Sequence, residues 1–102
     1  MKKAEKIALI KDLIGKKNRE DVYYDLVDQL NEKRLAYGDF MITEPINCDE
    51  ELKRLPKADY DLTVALLTML LREDHFSNGS FERRLEKGQV DEILKHLLEV
   101  IE

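Results

Sequence analysis

Asp59-Tyr60-Asp61-Leu62-Thr63-Val64-Ala65-Leu66-Leu67-Thr68-Met69-Leu70-Leu71-Arg72-Glu73-Asp74 decides the fold. Asp59 is an N-cap residue, and the apolar side chains that follow cover nearly the whole circumference of a helix over roughly residues 60–74. A helix that is apolar on every side must be surrounded, so the remaining elements are expected to wrap it. Val64 to Leu71 is far shorter than the ~20 apolar residues that span a bilayer, so this is a core helix rather than a membrane one.

Outward from it, apolar positions recur at helical spacing. Ile7, Ile10 and Ile14, broadened by Leu9 and Leu13, predict a helix from Lys2 to Ile14, closed by Gly15. Tyr23, Leu26, Val27 and Leu30 predict a second from about residue 20 to Ala36, with Asp21, Asp25, Asp28 and Glu32 opposite, Lys33 and Arg34 near its end, and Gly38 as the stop. Residues 39–48 hold Phe40, Met41, Ile42 and Ile46 around Pro45, the pattern of an apolar loop laid on a core with one short extended piece. Asn47 or Asp49 caps a short helix, with Glu50 placed as in a capping box and Pro56 ending it. Phe81, Leu85 and the Arg84 stem continue as a short helix up to Gly88, and Val90, Ile93, Leu94, Leu97 and Ile101 form the stripe of the last one. No hairpin signal or internal repeat is present. The expected fold is all-α, a compact irregular bundle of five or six helices in a single domain over residues 1–102.

Composition narrows function. The chain is 43% apolar and 38% charged, which suits one modest core under a solvated surface. Net charge is −5, unevenly spread: residues 1–19 hold seven basic side chains against two acidic ones, leaving −10 on the remainder. The basic segment reads as a solvated helix docked on an acidic body, because that body would repel phosphate; nucleic acid is not the expected partner. The single cysteine, Cys48, cannot form an internal disulfide, no signal peptide is visible, and a cytoplasmic protein of bacterial or phage-like scale is expected. His75 and His96 have no second ligand at metal-binding spacing, and neither an EF-hand nor a phosphate-cradling loop is written, so no metal or cofactor is expected.

The residues with chemical potential gather at Arg72-Glu73-Asp74-His75-Phe76-Ser77-Asn78-Gly79-Ser80-Phe81. Asp74 with His75 could be an acid–base unit, and Ser77 or Ser80 could evoke a Ser–His pair. A histidine near a helix end, however, usually serves the helix dipole, and no nucleophile elbow is present. Phe76 reads as the anchor of this turn in the core. Arg72, Asp74, His75 and Asn78 are candidate interaction residues, and Tyr24, Tyr37 and Tyr60 could form an exposed aromatic patch of the kind enriched at interfaces.

Ala58-Asp59, Leu66-Leu67-Thr68, Arg72, Asp74, Phe76, Asn78-Gly79, Phe81, Gly88, Val90, Ile93-Leu94 and Leu97 together resemble a bacterial domain-of-unknown-function family numbered 6508 over about residues 58–98. Tyr23, Val27 and Leu30 are similar to its N-terminal helix. His75 stands where the family pattern has an arginine before the phenylalanine, and Asn78 where it has an acidic residue. The resemblance implies an all-helical fold and a bacterial or phage setting, with no implied activity, substrate or cofactor. The function expected is therefore a non-catalytic protein-interaction module with a protein partner. The alternative is a small acidic inhibitor, of phage or mobile-element type, of a nucleic-acid-processing or defence enzyme.

Overall fold

In the computed structural model, which describes residues 2–101, six α-helices surround a common core: α1 (Lys3–Leu13), α2 (Glu20–Leu30), α3 (Cys48–Leu52), α4 (Tyr60–Glu73), α5 (Ser80–Glu86) and α6 (Gln89–Val100). Two 3-10 turns, Tyr37–Phe40 and Leu55–Lys57, join them, and no strand occurs among the described residues. The bundle is all-α and irregular. Its radius of gyration, 12.6 Å, is that of a close-packed chain of this length, for which about 13 Å is expected.

α4 occupies the centre. Asp59 caps it, its carboxylate accepting the Leu62 N–H at 2.9 Å, and Thr63 through Leu71 are buried except for the half-buried Thr68. Thr63 and Thr68 return their hydroxyls to the carbonyls of Asp59 and Val64, so both sit in an apolar helix without an unmet donor. α2, α3, α5, α6 and the Tyr37–Phe40 turn all pack on α4, while α1 closes the far side against α6 and α2. Tyr23 is fully buried with its ring 5.1 Å from that of Phe81, which leaves the adjacent Tyr24 facing outward. The stripe of α6 is buried as its spacing predicts.

Local signals set most boundaries. Asn47 caps α3 by accepting the Glu50 N–H at 3.1 Å. Gly79 and Gly88 stand immediately before α5 and α6 with φ of +83° and +79°, a region that side chains resist. Pro56 lies inside the 3-10 turn that follows α3 rather than at a clean stop.

Three expectations need correction. α2 ends at Leu30, six residues before Ala36. The Asn31 side chain accepts the Leu35 N–H at 3.0 Å and donates to the Leu35 carbonyl at 2.8 Å, and this closed loop, with Arg34 at φ +53°, replaces the helix. Residues 39–48 hold no extended strand, and their apolar side chains cover the core incompletely: Ile42 is 72% exposed. Phe76 does not anchor its turn in the core; it is 91% exposed, and Phe81 takes the buried position instead. The reason is geometric. Residues 74–79 leave the end of α4 as an outward turn, and only the chain's return at α5 points an aromatic ring inward.

These placements separate two substitutions that look alike in sequence. Leu70→Ala, at a position with no solvent exposure, is expected to cost roughly 2–5 kcal/mol in urea unfolding. Phe76→Ala is expected to stay within about 0.5 kcal/mol of the parent.

Candidate functional site

Arg84 organises the most highly charged cluster. It lies on the inward side of α5, with Phe81 and Leu85, and is 8% exposed. Its guanidinium donates to both carboxylate oxygens of Glu73, Nε at 3.1 Å and Nη2 at 2.9 Å, and Nη1 reaches Asp49 at 2.6 Å and Gln89 at 3.0 Å. One side chain thereby ties α3, α4, α5 and α6 together. Hydrogen bonding to Glu73 is the main cause holding the guanidinium above its usual range. Burial pushes the Glu73 carboxyl up, but the Arg84 fork, with Cys48 and Ser80 beside it, outweighs burial and leaves Glu73 below the ordinary value of 4.5. The half-buried Cys48 thiol is pushed up to about 12 by burial and then by Glu73, so it stays protonated at neutral pH and is a poor nucleophile.

Glu51 plays the corresponding part for the loop. Its side chain has no solvent exposure. One oxygen accepts the Ile42 N–H at 3.0 Å, the Thr43 N–H at 2.7 Å and the Thr43 hydroxyl, while the other takes Arg54 at 2.8 Å. Arg54 continues to the Phe40 carbonyl at 2.7 Å. Burial would raise the Glu51 carboxyl, yet Thr43, Arg54 and Ile42 together lower it. Neither Arg84 nor Glu51 was singled out from the sequence. The available signal was an arginine at core-facing spacing after Phe81, which requires a buried partner.

The sequence-selected residues fall into separate places. Asp74, Tyr24 and His75 meet at the end of α4. Asp74 accepts the Phe81 N–H at 3.2 Å, serving the first turn of α5, where Gly79 has no side chain to do so. The Tyr24 hydroxyl lies 3.1 Å from the Leu71 carbonyl and 3.0 Å from His75 Nε2. With its single proton given to the carbonyl, its oxygen accepts from an Nε2-protonated imidazole. Burial and then Asp74 push the neighbouring Glu20 carboxyl up. His75 pairs with neither serine; the Ser77 hydroxyl accepts from Arg83 at 3.3 Å. Asn78 is exposed, and its carbonyl faces Arg83 at 3.5 Å.

Tyr60 is elsewhere. Its hydroxyl donates to the Leu30 carbonyl at 2.8 Å, and Lys6 lies over its ring at 5.5 Å. Tyr24, Tyr37 and Tyr60 are all half-buried, and Tyr24 and Tyr60 satisfy helix-terminal carbonyls rather than presenting an exposed patch. The basic N-terminal helix does dock on the acidic body: Lys6 pairs with Glu32 at 2.8 Å, and the Gly15 N–H reaches Asp91 at 3.2 Å.

Arg72 is different. It is exposed at the last turn of α4 and, among the described residues, has no hydrogen-bond or ion-pair partner. Beside it opens a groove of about 480 Å³ whose apolar wall is Tyr37, Pro45, Ile46, Met69 and Phe76, with Cys48, Glu73 and Ser77 completing the lining. The groove thus sets exposed apolar side chains beside a cation without a hydrogen-bond or ion-pair partner. Among the described residues, no cluster of three or more potential metal ligands forms, and no helix is long and apolar enough to cross a membrane.

An all-helical domain centred on a largely apolar, buried helix, with a polar bracket at one end, is the class that the fold and this corner define. The chain belongs to the family of unknown function DUF6508, whose family model matches residues 17–102. The match takes in α2 and the loop after it as well as the C-terminal half. No curated protein and no solved structure matches the chain.

Removing the Arg84 guanidinium would strand Glu73 in a half-buried site. Arg84→Ala is expected to cost roughly 3–5 kcal/mol at neutral pH, and Arg84→Lys to recover only part, since an ammonium cannot fork onto the carboxylate. Because the folded Glu73 lies below its unfolded value of 4.5, its contribution is complete above that value and is lost as pH falls through the folded one. Urea unfolding between pH 7 and pH 3 should therefore show a smaller acid loss in Arg84→Ala than in the parent.

Proposed function

We propose that the protein is a non-catalytic protein-interaction module of the cytoplasm whose contact surface is the groove beside Phe76. The observation that carries this reading is the placement of Phe76, a large aromatic side chain 91% exposed on the turn after α4 and lining the same groove as Ile46, itself 41% exposed. Exposed aromatic surface of this kind is stabilised by burial only when something else covers it, and aromatic anchors dominate binding energy at interfaces. The partner is a protein that offers apolar side chains; the acidic character of residues 20–102 disfavours nucleic acid.

The test is affinity capture from the native host with the parent beside Phe76→Ser and Ile46→Ser, each first shown to melt like the parent. A partner held by the parent and lost by both variants is the expected outcome. Equal recovery by all three would move the contact surface away from this groove.

One observation favours the second reading, an acidic inhibitor of a nucleic-acid-processing or defence enzyme: Asp21, Asp25 and Asp28 stand exposed along one side of α2. Such a stripe would act by imitating phosphates, so its binding would weaken steeply with salt. Under this reading, replacing the three aspartates together by asparagine abolishes capture while Phe76→Ser leaves it intact, the reverse of the pattern expected for the groove.

A further inference from the structure

Two grooves flank Arg72. The first, described above, lies on the Phe76 side. The second, of about 440 Å³, is lined by Tyr24, Val27, Leu35 and Ala36. Arg72 and Tyr37 line both and form the ridge between them. Three of the four large apolar side chains that folding leaves exposed among the described residues line this trough, Phe76 and Ile46 in one groove and Leu35, 37% exposed, in the other; Ile42 lies outside both.

Charge follows the same line. Of the six arginines, Arg19 pairs with Asp21, Arg54 with Glu51, Arg83 with Ser77 and Arg84 with Glu73. Only Arg34 and Arg72 have side chains without a hydrogen-bond or ion-pair partner among the described residues, and both line the second groove. Two carboxylates also face the trough. Glu73 is committed to Arg84, which leaves Asp28 as the one opposing charge without a partner among the described residues. A chain with a net charge of −5 thus keeps its two uncommitted guanidinium groups beside its exposed apolar grooves. Unpaired arginine beside apolar surface is complementary to a carboxylate flanked by apolar groups, because the planar fork binds both carboxylate oxygens at once.

We infer that the trough takes one peptide segment of a partner protein, in which an aspartate or glutamate meets Arg72 and apolar side chains on either side of it enter the two grooves. This inference rests on the interaction-module reading and specifies the chemistry of the partner. The apolar side chains supply affinity, and the carboxylate fixes register and selects among apolar segments.

The probe is a phage-displayed library of randomised dodecapeptides panned on the immobilised full chain. A selected sequence is then synthesised with a fluorescent label and titrated by anisotropy. Enrichment of peptides with an acidic residue bracketed by apolar ones is expected. Arg72→Glu, with parental circular dichroism and melting temperature, should weaken binding by about tenfold or more, and Arg72→Gln should act in the same direction. Lysine in place of the peptide's acidic residue should restore binding to Arg72→Glu, a rescue that a merely structural arginine would not show. Phe76→Ala and Leu35→Ala should each weaken binding without removing the acidic preference.

Enriched peptides that lack an acidic residue, or that bind Arg72→Glu as well as the parent, would overturn the assignment of Arg72 while leaving the interaction module standing. Peptides indifferent to both Phe76→Ala and Leu35→Ala would overturn the trough as the site. No enrichment, alongside a Phe76-dependent partner in the capture experiment, would overturn a linear segment as the occupant and leave the module reading intact. Self-association in sedimentation equilibrium that Phe76→Ala abolishes would assign the trough to a second copy of the chain.

Discussion

One constraint shapes this molecule: the middle of α4, Val64 to Leu71, is apolar around nearly its whole circumference and must be covered on nearly every side. Burying a leucine side chain contributes roughly 1.5–3 kcal/mol, and Leu66, Leu67, Leu70 and Leu71 have no solvent exposure. No single neighbour can cover a full circumference. α2, α3, α5, α6 and the Tyr37–Phe40 turn therefore each cover one sector, which is why the bundle is irregular rather than a set of parallel pairs. α3 and α5 are short because the sectors they fill are small. α1 does not pack principally on α4; it closes the outer faces of α6 and α2.

Short helices and loops gathered around such a core have little stability of their own, since helix nucleation costs more than one or two turns return. Buried ions hold them. Arg84 joins α3, α4, α5 and α6 through Asp49, Glu73 and Gln89, and Glu51 gathers Ile42, Thr43 and Arg54 so that the loop before α3 follows a defined path. Tyrosines complete the arrangement at helix ends, Tyr24 on the Leu71 carbonyl, Tyr60 on that of Leu30 and Tyr23 on that of Lys16, while His96 meets the carbonyl of Ala58. These groups do not create the fold, which the apolar face of α4 drives. They select one arrangement of the covering elements.

What was legible in the sequence was whatever local chemistry decides. Asp59 and Asn47 cap helices through bonds to residues three positions on, and Gly79 and Gly88 mark turns because only glycine adopts their φ freely. The end of α2 was illegible because Lys33 and Arg34 look like ordinary last-turn cations, whereas the outcome turned on the Asn31 side chain closing on Leu35. Arg84 was only half legible: its spacing places it inward, but its partner Asp49 lies thirty-five residues away. The corner at residues 72–81 was recognisable as a concentration of polar groups. Which of them were committed depended on Tyr24, fifty-one residues from His75, and on the direction in which Phe76 leaves α4.

That corner shows how structural and available groups can be told apart. A polar side chain whose donors and acceptors are met inside the molecule contributes to its architecture, and using it for anything else would cost the bonds it makes. Asp74 is committed to the Phe81 N–H, Tyr24 and His75 to each other and to the end of α4, and Glu73 to Arg84. Arg72 and Phe76 are the least committed: the first has no hydrogen-bond or ion-pair partner among the described residues, serving the fold only as a last-turn cation of α4, and the second is almost wholly in solvent. A guanidinium and an aromatic ring are also the side chains that give most binding energy per residue when another surface covers them. Arg72 stands on the last turn of α4 and Phe76 on the turn that follows, so the backbone of a buried helix supports both, and a contact there would cost mainly the side-chain freedom of the two residues.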